Sequence, residues 1–222
     1  MANRSVAMAM VSLIVLMVLG AWWGYSQLPS NTQIPIHFNS EGTVDGWGSP
    51  LMLFLLPGIA AFNWLLMWVL PHIDPRGQNI VRSAKAYGTV WLAVTVVLAV
   101  IQGIMVTSAL GLDPHRRTLF PVLIGGLLIV IGNVMGKIRW NSTVGIRTPW
   151  ALADERVWDK TQRFGGRMLV ASGIVVVVAA FSRSMQSHMG IVIIACVLAA
   201  TLASFVQSYL YWRSDPPNLR KH

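Results

Sequence analysis

A chain of 222 residues that is 55% hydrophobic and only 11% charged lacks the polar surface of a soluble domain, where about a quarter of residues carry charge. Its net charge of +9 would suit nucleic acid, but the basic residues sit in short loops between apolar runs, so direct nucleic-acid binding is not expected. The single cysteine, Cys196, lies in an apolar run and excludes a disulfide framework or a thiol metal cluster.

Apolar segments recur near 6–25, 51–70, 89–110, 118–135, 168–181 and 189–212. A helix rising 1.5 Å per residue needs about 20 residues to cross the hydrocarbon core. The expected fold is therefore an all-α polytopic membrane protein of about six spans. The first run, after "MANR", is long and lacks a small-x-small cleavage pattern, so it is expected to be an uncleaved span. Gly20 with Gly24, and Gly132 with Gly136, are spaced for close helix approach. Pro57 and Pro121 are expected to set first turns or kinks. Asn63, Gln102, Asn133 and Gln207 are expected to hydrogen-bond neighbouring helices.

The loop 26–50 contains "IPIHF", which alternates like a short strand, and "EGTVDGWG", which reads as glycine-rich turn chemistry. Its ordered character makes Pro35, His37, Asn39, Gly42, Asp45, Gly46 and Trp47 the candidates for ligand sensing. His37, Glu41 and Asp45 have no spacing that fixes a metal geometry, and no metal is assigned. Trp22, Trp23 and Trp47 suit the membrane–water interface.

The fifth apolar run, Met168 to Phe181, has only 14 residues and would reach about 21 Å. Either its helix starts earlier, inside the charged stretch before it, or Arg167 and Arg183 snorkel. That stretch, "GNVMGKIRWNSTVGIRTPWALADERVWDKTQRFGGR" over 132–167, holds seven of the 17 lysines and arginines. Thr148 reads as an N-cap and Pro149 as the first helical residue. Asp154 and Glu155 then fall in the first two turns and Lys160, Arg163 and Arg167 later, matching the helix dipole. Trp150, Val157, Trp158, Thr161, Phe164 and Met168 share one face, so an interfacial amphipathic helix is expected before the fifth span.

Of the 17 basic residues, 14 fall in the segments that share a side with the termini. Both termini are therefore expected in the cytoplasm, with 26–50 outside. No serine–histidine pair, zinc spacing or phosphate loop appears, and adjacent Asp154 and Glu155 diverge by about 100° on a helix. No catalytic residue and no cofactor are assigned, and no enzyme activity is expected. The "NST" sequon at 141–143 falls on the predicted cytoplasmic side, where it would not be used.

The 132–167 stretch closely resembles the signature of the SdpI family, membrane proteins typified by immunity to a secreted killing peptide. Asn133, Lys137, Ile138, Arg139, Asn141, Val144, Gly145, Ile146, Arg147, Thr148, Pro149, Trp150, Leu152, Val157, Trp158, Thr161, Arg163, Gly165 and Gly166 fall on the family pattern. Gly136, Trp140, Ala151 and Gln162 depart from it. The outer loop resembles the N-terminal membrane domain of unknown function that often precedes the SdpI domain. The organisation expected is an N-terminal membrane domain over 1–70, a connecting loop and third span over 71–117, and an SdpI-like domain over 118–222.

The resemblance implies a multi-pass protein of the bacterial cytoplasmic membrane that protects against a toxic peptide or envelope-active agent. It also implies signalling through a cytoplasmic repressor held at the membrane. The candidate surface for a partner or for membrane lipid is Asn133, Lys137, Arg139, Asn141, Gly145, Arg147, Thr148, Pro149, Trp150, Trp158, Thr161 and Arg163. A homo-oligomer is compatible with this reading. The alternative is a small transporter or channel, or an accessory subunit of an exporter, disfavoured by the lack of charged groups at mid-span.

Overall fold

The computed structural model describes residues 4–29, 31–39, 43–112 and 116–214. Gly42 and Glu41 lie outside them. Among the described residues six helices are long and apolar enough to cross a membrane, and the protein is an all-α polytopic membrane protein. The long helices are α1 (Arg4–Gln27), α2 (Leu55–Ile73, preceded by a 3-10 turn Pro50–Phe54), α4 (Ala84–Ala109), α5 (Arg116–Met135), α7 (Glu155–Ala180) and α8 (Met189–Ser214). Two short helices, α3 (Gly77–Arg82) and α6 (Pro149–Ala153), stand beside them, with a hairpin of β1 (Ile34–Phe38) and β2 (Val44–Gly48).

The spans pack as two threes, α1–α2–α4 and α5–α7–α8, joined along α4 and α5. In the first, polar residues inside the spans reach across to neighbouring elements. Asn63 donates to the Thr95 hydroxyl at 3.2 Å, and Gln102 donates to the Leu53 carbonyl at 2.9 Å. Tyr87 donates to the Met67 carbonyl at 3.0 Å. Each ties α4 to the second span or its leading turn. Asn133, by contrast, is exposed on α5.

In the second three, α5 and α7 are antiparallel and meet backbone to backbone. A Cβ on Gly132 would stand 2.5 Å from the Gly166 carbonyl oxygen, and one on Gly173 would stand 2.5 Å from that of Gly125. These contacts recur seven residues apart on both helices, which keeps them on one face. Only glycine lets carbonyls approach so closely. The Gly20–Gly24 pair is split: Gly24 packs on Val106 and Leu53, while a Cβ on Gly20 would meet nothing within 4 Å.

Three sequence expectations are corrected in detail. "VDGWG" is a strand, not a turn, because Val44 and Trp47 pair with Phe38 and Pro35 across the hairpin. The connection 71–88 is largely helical, with α4 beginning at Ala84. The helix capped by Thr148 ends at Ala153, and Asp154 takes an extended conformation (φ −141°, ψ 126°). Asp154 therefore lies outside the first turns and starts a second helix. The amphipathic stretch is continuous with the fifth span, and this early start at Glu155 answers its apparent shortness. Val157, Trp158 and Thr161 point into the protein and are fully buried.

Candidate functional site

Between α5 and α6 the chain forms a compact loop, 136–148, built around Asn141. This side chain is fully buried and uses both ends of its amide. Its nitrogen donates to the carbonyls of Arg139 (2.8 Å) and Val144 (3.0 Å), and its oxygen accepts from the amides of Thr143 (2.9 Å) and Val144 (2.7 Å). Gly145 follows at φ 124°, where a side chain would be strained and would strike Gln162 and Trp158. Gln162 of α7 then pairs with Ile146 like a strand neighbour, accepting from its amide at 3.0 Å and donating to its carbonyl at 2.9 Å.

The loop is latched to both halves of the molecule. Asp74, at the end of α2 and only 6% exposed, accepts from the Arg76 amide at 2.7 Å. It also accepts from the Ser142 amide and the Thr143 hydroxyl, each at 2.9 Å. Asn79 donates to the Trp140 carbonyl at 2.8 Å, and the Arg139 amide donates to the Ser83 hydroxyl at 2.9 Å. The Arg76 guanidinium lies 3.7 Å over the Trp140 ring, a cation–π contact. On the other side the Trp158 indole donates to the Ile138 carbonyl at 2.9 Å. Thr148 caps α6 through Ala151 (3.1 Å) and shares a hydrogen bond with Ser208 of α8 at 2.5 Å. Trp150 packs against Phe205 and Tyr209 of the same helix.

The signature residues therefore divide by direction. Asn141, Thr148, Trp158 and Thr161 are buried, and Gly145 and Trp150 are half-buried. Lys137, Arg139, Arg147, Pro149 and Arg163 are exposed, together with Arg156, Lys160 and Arg167. Arg147 reaches back to the Ser142 carbonyl at 3.3 Å. The loop is thus a rigid platform presenting cations.

Asp154 caps α7 and accepts from the Arg156 amide at 2.8 Å and its guanidinium at 2.9 Å. The Arg156 side chain holds its carboxyl below the usual range. D154A is expected to destabilise by about 1 kcal/mol, read as thermal unfolding in detergent, whereas D154N keeps a capping oxygen and most of the stability. A group with a lowered folded pKa contributes above its ordinary pKa of about 4, and the contribution is lost as pH falls through the lowered value. That acid-side loss should be absent in D154N.

At the opposite end the hairpin covers the ends of α4, α5 and α8. Ile34 and Pro35 of β1 are buried, Ile34 against Ala21, Leu53, Met105 and Val106. Asn39 brackets the turn, donating its amide to the Thr43 carbonyl at 2.9 Å and accepting the Thr43 amide through Oδ1 at 3.0 Å. Gly46 lies where a Cβ would strike that of His37. His37 and Asp45 face each other at 2.5 Å, both exposed, and Trp47 is 57% exposed. Beneath the hairpin is a cavity of about 530 Å³, walled by Ile36, Phe38, Phe120 and Ile193, with His37 and Arg117 at its rim. Among the described residues no cluster of His, Cys, Asp and Glu is able to hold a metal ion.

The profile of the SdpI/YfhL protein family matches residues 137–207, from the platform to α8. That segment is similar to the SdpI/YfhL family. A domain of unknown function, DUF1648, matches residues 12–61, which hold most of α1, the hairpin and the start of α2. The immunity protein SdpI of Bacillus subtilis (strain 168) is 27% identical over 192 residues, 85% of this chain and 87% of that protein. The uncharacterized protein YfhL of the same strain is 27% identical over 88 residues, covering 38% of this chain and 78% of that protein. No solved structure matches the chain. With its six apolar helices, this kinship makes it a multi-pass protein of the bacterial cytoplasmic membrane, related to membrane immunity proteins.

The SdpI-family region meets residues that the sequence reading did not single out. Asp74, Arg76, Asn79 and Ser83 lie before it yet hold its loop in place. The Asp74–Pro75 pair was a turn signal available in sequence, but nothing there paired it with residues 142–143. Gln162, noted only as a departure from the family pattern, is the residue that fixes Ile146.

Proposed function

We propose that this protein protects its cell from a toxic peptide, engaging it at the hairpin end and relaying its presence to the basic platform. The observation that carries the reading is the cavity under the hairpin, mostly apolar, with His37, Asn39, Arg117 and Gln186 as its polar lining. An apolar pocket with a few polar groups at its mouth suits the insertion of an amphipathic segment. The relation to the Bacillus subtilis immunity protein supplies the class of agent.

In this reading the hairpin faces outward and the platform faces the cytoplasm, as the placement of basic residues favours. The exposed cations Arg139 and Arg147 stand on a loop fastened to both three-span groups, so a shift between those groups reaches them directly. They form the surface on which an acidic partner, such as a repressor, docks.

The test is expression in a host sensitive to the killing peptide against which typical family members protect. Wild-type protein should raise survival. I36D and F38D, which place charge in the cavity, should abolish protection while leaving membrane insertion intact. R139Q with R147Q should retain protection and lose partner recruitment. Equal killing of wild-type, variant and empty-vector cells would refute the reading for that peptide. Protection accompanied by energy-dependent loss of labelled peptide would favour the transporter alternative. Orientation is checked separately: alkaline phosphatase fused after Gly111 should be active, and fused after Ser83 inactive.

A further inference from the structure

The function proposed above leaves unused a groove of about 900 Å³ between the end of α5 and the middle of α7. Lys137, Arg163 and Arg167 stand at its mouth, and Val170, Ala171 and Ile174 continue along it. Among the described residues no carboxylate lines it. The groove exists because Gly132, Gly136 and Gly166 leave its floor without side chains. A Cβ on Gly136 would stand 3.0 Å from the Arg163 Cγ, so the arginine stem lies across that glycine.

Depth separates its two chemistries. From Arg163 to Ile174 the helix advances about 16 Å, roughly half of a hydrocarbon core about 30 Å thick. The cations therefore sit at headgroup level and the apolar wall at acyl-chain level, with Ile174 50% exposed. A soluble anion would use only the mouth. An acidic protein would have to enter the bilayer to cover the wall. A lipid with a phosphate at one end and a chain at the other matches both in one molecule.

We infer that this groove binds one anionic phospholipid, its phosphate held among Lys137, Arg163 and Arg167 and an acyl chain laid on Val170, Ala171 and Ile174. Guanidinium groups grip phosphate through paired N–H donors, and Lys137 opens the loop that follows α5 while the two arginines belong to α7. The lipid thus staples the helix pair at the point where the 136–148 loop leaves it. The site does not depend on which leaflet it faces.

The experiment uses the full-length protein in a zwitterionic detergent, read by native mass spectrometry and thermal unfolding. Phosphatidylglycerol, phosphatidylcholine and inorganic phosphate are added as separate arms. Phosphatidylglycerol should be retained and raise the melting temperature. Phosphatidylcholine should do neither at equal concentration, and inorganic phosphate should neither stabilise nor displace bound phosphatidylglycerol. R163Q with R167Q should weaken retention by roughly five-fold per charge. R139Q with R147Q removes the same charge outside the groove and should bind as wild type. A171W fills the groove with all its cations intact and should lose retention. Equal retention of the two lipids, equal loss in both double variants, or displacement by phosphate alone would overturn the proposal. Should R163Q/R167Q not fold, the wild-type lipid comparison and A171W decide.

Discussion

Replacing Gly166 with valine is expected to destabilise the protein by on the order of 3 kcal/mol or to prevent its assembly, because overpacking a close-packed interface forces its backbones apart. The Cβ alone would stand 2.6 Å from the Gly132 carbonyl oxygen. That obstacle is backbone, so no rotamer change relieves it. Gly132, Gly125 and Gly173 have the same relation to the facing helix, and valine at any of them should act alike. Glycine 20 provides the control. It belongs to a GxxxG pair in sequence, yet a Cβ there meets nothing within 4 Å, so G20V should fall within about 0.5 kcal/mol of wild type. The measurement is thermal unfolding in detergent together with the yield of folded protein. A melting temperature for G166V equal to that of G20V would show that α5 and α7 tolerate separation.

That contrast also shows what sequence could and could not deliver. The six spans were legible because lipid demands long apolar helices, a constraint that composition alone satisfies or violates. The start of the fifth span was half-legible: its length shortfall required an earlier beginning, and the Thr148 cap was read correctly. The break at Asp154 was not, since an aspartate inside an amphipathic pattern serves equally as first-turn acid or as a new cap. Helix partners were the least legible element. GxxxG spacing marks close approach by some helix, but the contacts that matter here, Gly125 to Gly173 and Gly132 to Gly166, depend on the register between two segments. The signature loop was legible as a unit and opaque in its purpose. Asn141 and Trp158 look like recognition residues in sequence, and their bonds to Val144 and Ile138 appear only in three dimensions.

Asp74 carries the second large effect. Its carboxylate accepts three hydrogen bonds, two of them from Ser142 and Thr143 at a separation of more than 60 residues. D74A should cost about 2–4 kcal/mol, because the Ser142 amide and the Thr143 hydroxyl are left in a half-buried site without their acceptor. D74N should fall between D74A and wild type. An amide keeps one acceptor oxygen but turns an N–H₂ toward a donor at the other position. The loss should also be local. The helix pair α5–α7 does not depend on Asp74, so D74A should retain its spans while the 139–147 loop detaches from α3 and α4. Arg139 and Arg147 are exposed there and offer trypsin its cleavage sites. Limited digestion of D74A should therefore cut at these residues well before any span is lost, whereas wild-type protein resists. Combining D74A with T143A tests the coupling: once the acceptor is gone, removing the hydroxyl should cost little more, because both changes abolish the same bond. Wild-type trypsin resistance in D74A, or full additivity in the double variant, would mean that the latch is held by the Asn79–Trp140 and Ser83–Arg139 bonds instead.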